Sequence, residues 1–134
     1  MAKIEELEGI GPAYGAKLKA AGIETIEALL EKGATPKGRK EIEEATGIAH
    51  KLVLTWVNMA DLCRIKGVGP QFAELLEAAG VDTVKELRHR VPANLHAKLV
   101  EVNTAKNLTG NVPSEKQIAA FVEEAKTLEI VVSY

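Results

Sequence analysis

Aromatic side chains are scarce in this chain, and cysteine is nearly absent. Phe, Trp and Tyr together make up 4% of its 134 residues, so Leu, Ile, Val and Ala must build the core. The single cysteine, Cys63, excludes an intramolecular disulfide and fits a reducing compartment. With no second thiol to pair with, it reads as a buried small hydrophobe. No excess of positive charge is present either. There are 17 basic and 19 acidic residues, for a net charge of −2. That balance excludes a strongly basic nucleic-acid binder but leaves room for a local patch. Long apolar runs are missing as well. The densest, Leu52 to Val57, falls far short of the ~20 residues a membrane helix needs. The first residues, Met1 to Glu6, are acidic and lack the apolar centre of a signal peptide. These absences predict a soluble, cytoplasmic protein without a membrane partner.

Catalytic and metal-binding patterns are also wanting. His50, His89 and His96 show no ligand spacing, and no nucleophile stands with a base and an orienting acid. Glu43-Glu44 and Glu123-Glu124 are adjacent acids on predicted helices and so diverge. The expectation is a protein that is not an enzyme and needs no cofactor or metal.

What the chain does have is a repeated segment. Gly9-Ile10-Gly11-Pro12 returns as Gly67-Val68-Gly69-Pro70, 58 residues further on. At the same offset Tyr14 matches Phe72, Leu18 matches Leu76, and Ala20-Ala21-Gly22 matches Ala78-Ala79-Gly80. So many equivalent pairs indicate an internal duplication. Val53 to Val57, which includes Trp56, corresponds to Ile118 to Val122, which includes Phe121, at an offset of 65. The larger offset implies an insertion in the second half. The polar stretch Thr104 to Gly110 is predicted as the loop that holds it. Trp56 and Phe121 at one slot read as core anchors, and so do Tyr14 and Phe72.

Apolar residues recur at three- and four-residue steps, and strand-like alternation is almost absent. Proline follows each glycine turn, where a first-turn proline loses no hydrogen bond. Gly22 and Gly80 stand where helices end. Thr83 to Glu86 and Ser114 to Gln117 fit capping boxes, and Thr35-Pro36 fits a cap. The chain therefore predicts an all-α fold of two tandem units, residues 1–62 and 63–134, the second with its insertion near 104–110. The ending Val131 to Tyr134 reads as a frayed end or a small extended segment.

Leu7-Glu8-Gly9-Ile10-Gly11-Pro12, with Gly15 and Leu18 following, resembles the helix-hairpin-helix motif. Ile65-Lys66-Gly67-Val68-Gly69-Pro70, with Ala73 and Leu76 following, resembles it equally. Weaker turns at Thr46-Gly47-Ile48 and Asn111-Val112-Pro113 complete a pairing similar to the double hairpin domains of DNA repair and recombination proteins. Over roughly residues 3 to 128 the chain is more similar still to a bacterial family of unknown function made of two such units. Its typical stretches resemble Gly33 to Lys40 and Trp56 to Leu62.

The resemblance implies non-sequence-specific binding of a DNA backbone. Amides of Gly9, Ile10 and Gly11, and of Gly67, Val68 and Gly69, would face phosphate. A helix N-terminus supports such contacts through free N–H groups and its dipole, and they ignore base identity. The sequence departs from binding hairpins at Ala13 and Gln71, where a basic residue often follows the turn. Glu5, Glu6 and Glu8 crowd the first turn, whereas Arg64 and Lys66 precede the second. The second turn is therefore the favoured site. Lys37, Arg39 and Lys40 form a basic cluster and Arg88-His89-Arg90 forms another, each read as solvated surface or as a phosphate-facing patch beside the hairpins. The rival reading is a protein-interaction module that keeps the hairpin shape without binding DNA. The sequence does not fix the oligomeric state.

Overall fold

The computed structural model describes residues 2–134. Among them every regular element is helical, with eight α-helices, a short 3₁₀ turn and no strand. The chain divides into two compact units, Met1–Asp61 with Val131–Tyr134, and Leu62–Ile130.

In the first unit a 3₁₀ turn (Ile4–Glu6) leads into α1 (Gly11–Ala20). Then come α2 (Ile26–Gly33), α3 (Pro36–Thr46) and α4 (His50–Leu62). Local chemistry sets the boundaries. Pro12 occupies the first turn of α1. The Thr25 hydroxyl accepts the Ala28 amide at 3.0 Å and opens α2. The Thr35 hydroxyl accepts the Gly38 amide at 3.1 Å and opens α3. Gly47 ends α3, and its amide donates to Glu43 O at 2.8 Å. The core is aliphatic: Leu18, Ile23, Leu29 and Ile42 are all buried. Each contributes about 1.5–3 kcal/mol through the apolar area it removes from water. Trp56 joins them, 2% exposed. Gly38 permits a close approach of α3 to the end of α2, because a Cβ there would fall on the Lys32 carbonyl oxygen.

The second unit holds α5 (Pro70–Ala78), the single turn α6 (Val84–Leu87), α7 (Pro92–Lys106) and α8 (Glu115–Thr127). α8 packs against α6 and α7. It opens on a full capping box: Ser114 Oγ accepts the Gln117 amide at 3.1 Å, and Gln117 Oε1 accepts the Ser114 amide at 2.8 Å. Ser114→Ala is expected to cost about 1 kcal/mol, the usual worth of such a cap, seen as a lower urea midpoint at unchanged slope.

Four expectations need correcting or completing. Thr83 heads α6 but makes no side-chain cap. Its side chain is buried, and Glu86 is drawn instead to Arg90 at 3.0 Å. The stretch predicted as a loop from Thr104 is helical through Lys106. Thr104 Oγ1 donates to Val100 O at 2.8 Å, which satisfies the hydroxyl inside the helix. The loop begins at Asn107, with φ +51°, and Asn103 Oδ1 pins it by accepting the amides of Leu108 at 2.9 Å and Thr109 at 3.0 Å. Cys63 is half-buried rather than buried. The ending is not frayed. Val132 is buried, and the Ser133 amide donates to Ala34 O at 2.8 Å.

Candidate functional site

Both glycine turns are built on a residue that only glycine adopts cheaply. Gly9 has φ +89° and Gly67 has φ +93°, a region that L side chains avoid. The following residue points inward: Ile10 is 2% exposed and Val68 4%. Each spends its amide within the turn, Ile10 on Leu7 O at 3.3 Å and Val68 on Ile65 O at 3.0 Å. Of the amides expected to face phosphate, those of Ile10 and Val68 are thus already engaged. An aromatic floor lies under each turn. A Cβ on Gly9 would lie 3.5 Å from Trp56 Nε1, and one on Gly67 would lie 3.1 Å from Phe121 Cε1. The Tyr14 ring meets Trp56 edge-on, with centroids 5.2 Å apart.

Beyond this point the two turns diverge. Gly11 takes φ +63° inside α1, whereas Gly69 has φ −90° and caps α5. Beside Gly69 lies an open depression of about 290 Å³, lined by Gly67, Gly69, Pro70, Gln71 and Phe72. Nothing stands within 4 Å of where a Gly69 Cβ would be. Pro70 carries no N–H, and the Ala73 amide donates to Gly69 O at 2.9 Å. The Gln71 and Phe72 amides therefore lie in the first turn, where helix geometry supplies no partner. The dipole of α5 adds partial positive charge at the same end. Gln71 and Phe72 were not singled out in the sequence as contributors. Their place directly after the proline was the available signal, since it puts their amides among the unpaired ones. Phe72 is half-buried, not a core residue.

Charge around the second turn is mixed. The Lys66 side chain is exposed. Its amide donates to both oxygens of Glu124 at 3.2 Å, which sets a carboxylate behind the turn. Arg64 donates to Glu129 O at 2.8 Å and so helps hold the end of this unit. At the first turn Glu5 pairs with Lys19 at 2.6 Å. The hydrogen bond from that ammonium, helped by one from its own backbone, holds the Glu5 carboxyl below the usual carboxylate range. Glu6 accepts the Lys3 amide at 2.9 Å. Neighbours thus take up two of the three acids there, and Lys19 with them.

The cluster on α3 splits. Lys37 and Lys40 are exposed, but Arg39 is 3% exposed and faces inward. Its guanidinium donates to Gly33 O at 2.8 Å and Ser133 O at 2.6 Å, beneath the Tyr134 ring. Burial pushes its pKa down, offset by charge from Tyr134 and Glu43. Arg39 therefore presents no charge to a phosphate, and the three residues do not form one patch. The Arg88 cluster is similarly engaged. Arg88 donates to Ala125 O and Leu128 O at the end of α8, and Arg90 pairs with Glu86.

A cavity of about 240 Å³ in the first unit is floored by Ile23 and Ile42, with Lys32 and Glu41 at its edge. Opposite charges there give it no preference for an anion. Among the described residues no group of three His, Cys, Asp or Glu side chains is placed to hold a metal ion. No helix among them is long and apolar enough to cross a membrane.

The family model described as Domain of unknown function (DUF4332) matches residues 8–128, a span that takes in both glycine turns. The chain belongs to this family. In this DUF4332 chain the matched span includes the Gly67–Phe72 depression, while Val131–Tyr134 follows it. No curated protein and no solved structure matches the chain.

Proposed function

We propose that this DUF4332 chain binds the backbone of nucleic acid, DNA first, without reading its sequence, through the turn from Gly67 to Phe72. The observation that carries the reading is the depression at the N-terminus of α5. There a left-handed Gly67, an uncrowded Gly69 and the first-turn amides of Gln71 and Phe72 share one opening. Oriented amides at a helix start suit a phosphate. The Phe72 ring on the same wall offers a base a surface to stack on. In this reading the two halves are tandem double helix-hairpin-helix units related to DNA-binding domains. The matching φ values at Gly9 and Gly67 support that kinship, as do the aromatics beneath them. The role is one of binding and not catalysis, in a reducing, cytoplasmic setting that suits the lone Cys63.

Affinity is expected to be modest, on the order of 10⁻⁴ to 10⁻⁶ M, since few charges contribute. Two variants test it by fluorescence anisotropy of labelled duplex across a salt series. Lys66→Glu should weaken binding and reduce the salt slope by about 1, as for loss of one phosphate contact. Gly69→Ala should weaken binding while leaving the melting temperature unchanged, because its Cβ enters open space at an ordinary φ. Unaltered affinity in both variants would remove this turn from the site.

A second reading is favoured by a different observation. A groove of about 590 Å³ runs along Val91, Pro92, Ala93, Glu115, Lys116 and Ala119. Val91 is 56% exposed there. An apolar surface of that kind suits a protein partner. Absence of any nucleic-acid binding at low salt would transfer the function to that face.

A further inference from the structure

The last four residues occupy a built slot on the first unit. The Ser133 amide donates to Ala34 O at 2.8 Å, and Ser133 O accepts from Arg39 at 2.6 Å. Tyr134 Oη donates to Asn58 Oδ1 at 2.7 Å, and the ring lies 5.6 Å from the Arg39 guanidinium carbon. Val132 is 5% exposed. The slot reads its occupant on both sides of the main chain at residue 133. It adds an apolar seat before that residue and a hydroxyl acceptor after it. This is how an extended peptide is recognised, with main-chain bonds for affinity and alternate side chains for selectivity. With the segment seated, Arg39 and Asn58 are both more than nine-tenths buried, and Arg39 is also held from within the unit by Gly33 O at 2.8 Å.

The connection to the segment is irregular, with Leu128 O and Glu129 O held by Arg88 and Arg64 and the next two residues exposed. From Leu128 onward the backbone forms no regular element, and Ile130 and Val131 are 49% and 37% exposed. A short exposed connection to a self-complementary seat is the arrangement from which identical elements exchange between copies. We propose that the Arg39–Asn58–Ala34 slot is an interaction surface for residues 131–134 of a second copy of this chain. A second copy carries the matching segment by definition, and no further chemistry is needed to recognise it. Within one chain the tethered segment competes with that of any second copy. Exchange therefore emerges when that competitor is removed.

A complementation experiment removes it. One chain carries Asn58→Leu, which spoils the slot and keeps the tail. The other carries Val132→Asp, which spoils the tail and keeps the slot. Each alone is expected to sediment as a monomer. Their mixture is expected to show a species of twice the mass, growing with concentration. Tags on the two chains would confirm that it contains both. A mixture that stays monomeric while both variants keep their helical circular dichroism overturns the proposal and leaves the slot an intramolecular clasp. Dimers from either variant alone also overturn it, since they place the contact elsewhere. If a variant fails to fold, Asn58→Ala replaces Asn58→Leu and Tyr134→Ser replaces Val132→Asp, with the same two outcomes.

Discussion

Arg39→Ala is expected to lower stability by about 2–4 kcal/mol, the cost of leaving the buried Gly33 carbonyl and the part-buried Ser133 carbonyl without their charged donor. The guanidinium serves two acceptors at once, Gly33 O at 2.8 Å and Ser133 O at 2.6 Å. Truncation strands both, and the second loss also releases the chain ending that the side chain holds. The compensating gain is relief of the desolvation that pushes the Arg39 pKa down. That gain is the smaller effect, because the fork is hydrogen-bonded where it lies. Arg39→Lys should fall between, since one ammonium does not reproduce two divergent N–H bonds. Lys37→Ala and Lys40→Ala remove exposed charges from the same helix and should stay within about 0.5 kcal/mol of the parent. Urea denaturation of the four variants separates the cases. A neutral Arg39→Ala would mean that the buried geometry does not persist in solution. DNA titrations of the same proteins add a check. If either lysine contacts phosphate, its loss weakens binding without touching stability.

Gly38→Ala should destabilise the first unit by roughly 2–3 kcal/mol, although alanine is the better helix former by up to ~1 kcal/mol. Steric conflict wins because the new Cβ would overlap the Lys32 carbonyl oxygen, which is backbone and does not swing aside. Any shift of α3 that relieved it would also strain the Thr35 cap, whose hydroxyl holds the Gly38 amide at 3.1 Å. Gly69→Ala is the matched comparison, with open space around its Cβ and an expected effect near zero. Thermal melts of the two variants should differ clearly. Equal melts would show that α2 and α3 are not this close.

Much of the helical framework was legible in the chain, and for local reasons. Thr25 to Ala28, Thr35 to Gly38 and Ser114 to Gln117 are contacts three residues apart. A rule about neighbours finds them. The positive φ at Gly9 and Gly67 is likewise a property of one residue in one turn. Thr83 fell outside the rule because its side chain is buried in the tertiary structure. The end of α7 was misplaced for a related reason. Polar Thr104 reads as a loop former, yet its hydroxyl is satisfied by the carbonyl four residues back.

The candidate site was legible in position but not in detail. Two glycines and a proline marked where amides could gather. Which amides remain available depends on the turn's own bonds, and these engage Ile10 and Val68 while Gln71 and Phe72 fall in the open first turn of α5. Charge was the least legible property. Arg64 and Lys66 stand together in the chain, yet one guanidinium is used on Glu129 O and the other residue's amide on Glu124, 58 positions away.

Local sequence makes this protein helical and marks where several of its helices start and where its two glycine turns fall. Those properties follow from hydrogen bonds and dihedral preferences spanning a few residues. That Arg39 faces inward, that residues 131–134 pack on the first unit, and that an opening lies beside Gly69 all follow from tertiary packing. The Arg39–Ser133 bond joins residues 94 positions apart, and no local pattern encodes which carbonyl will meet a guanidinium at that distance. Burial of a charge depends on what the rest of the chain brings to cover it, and that is settled when the core closes.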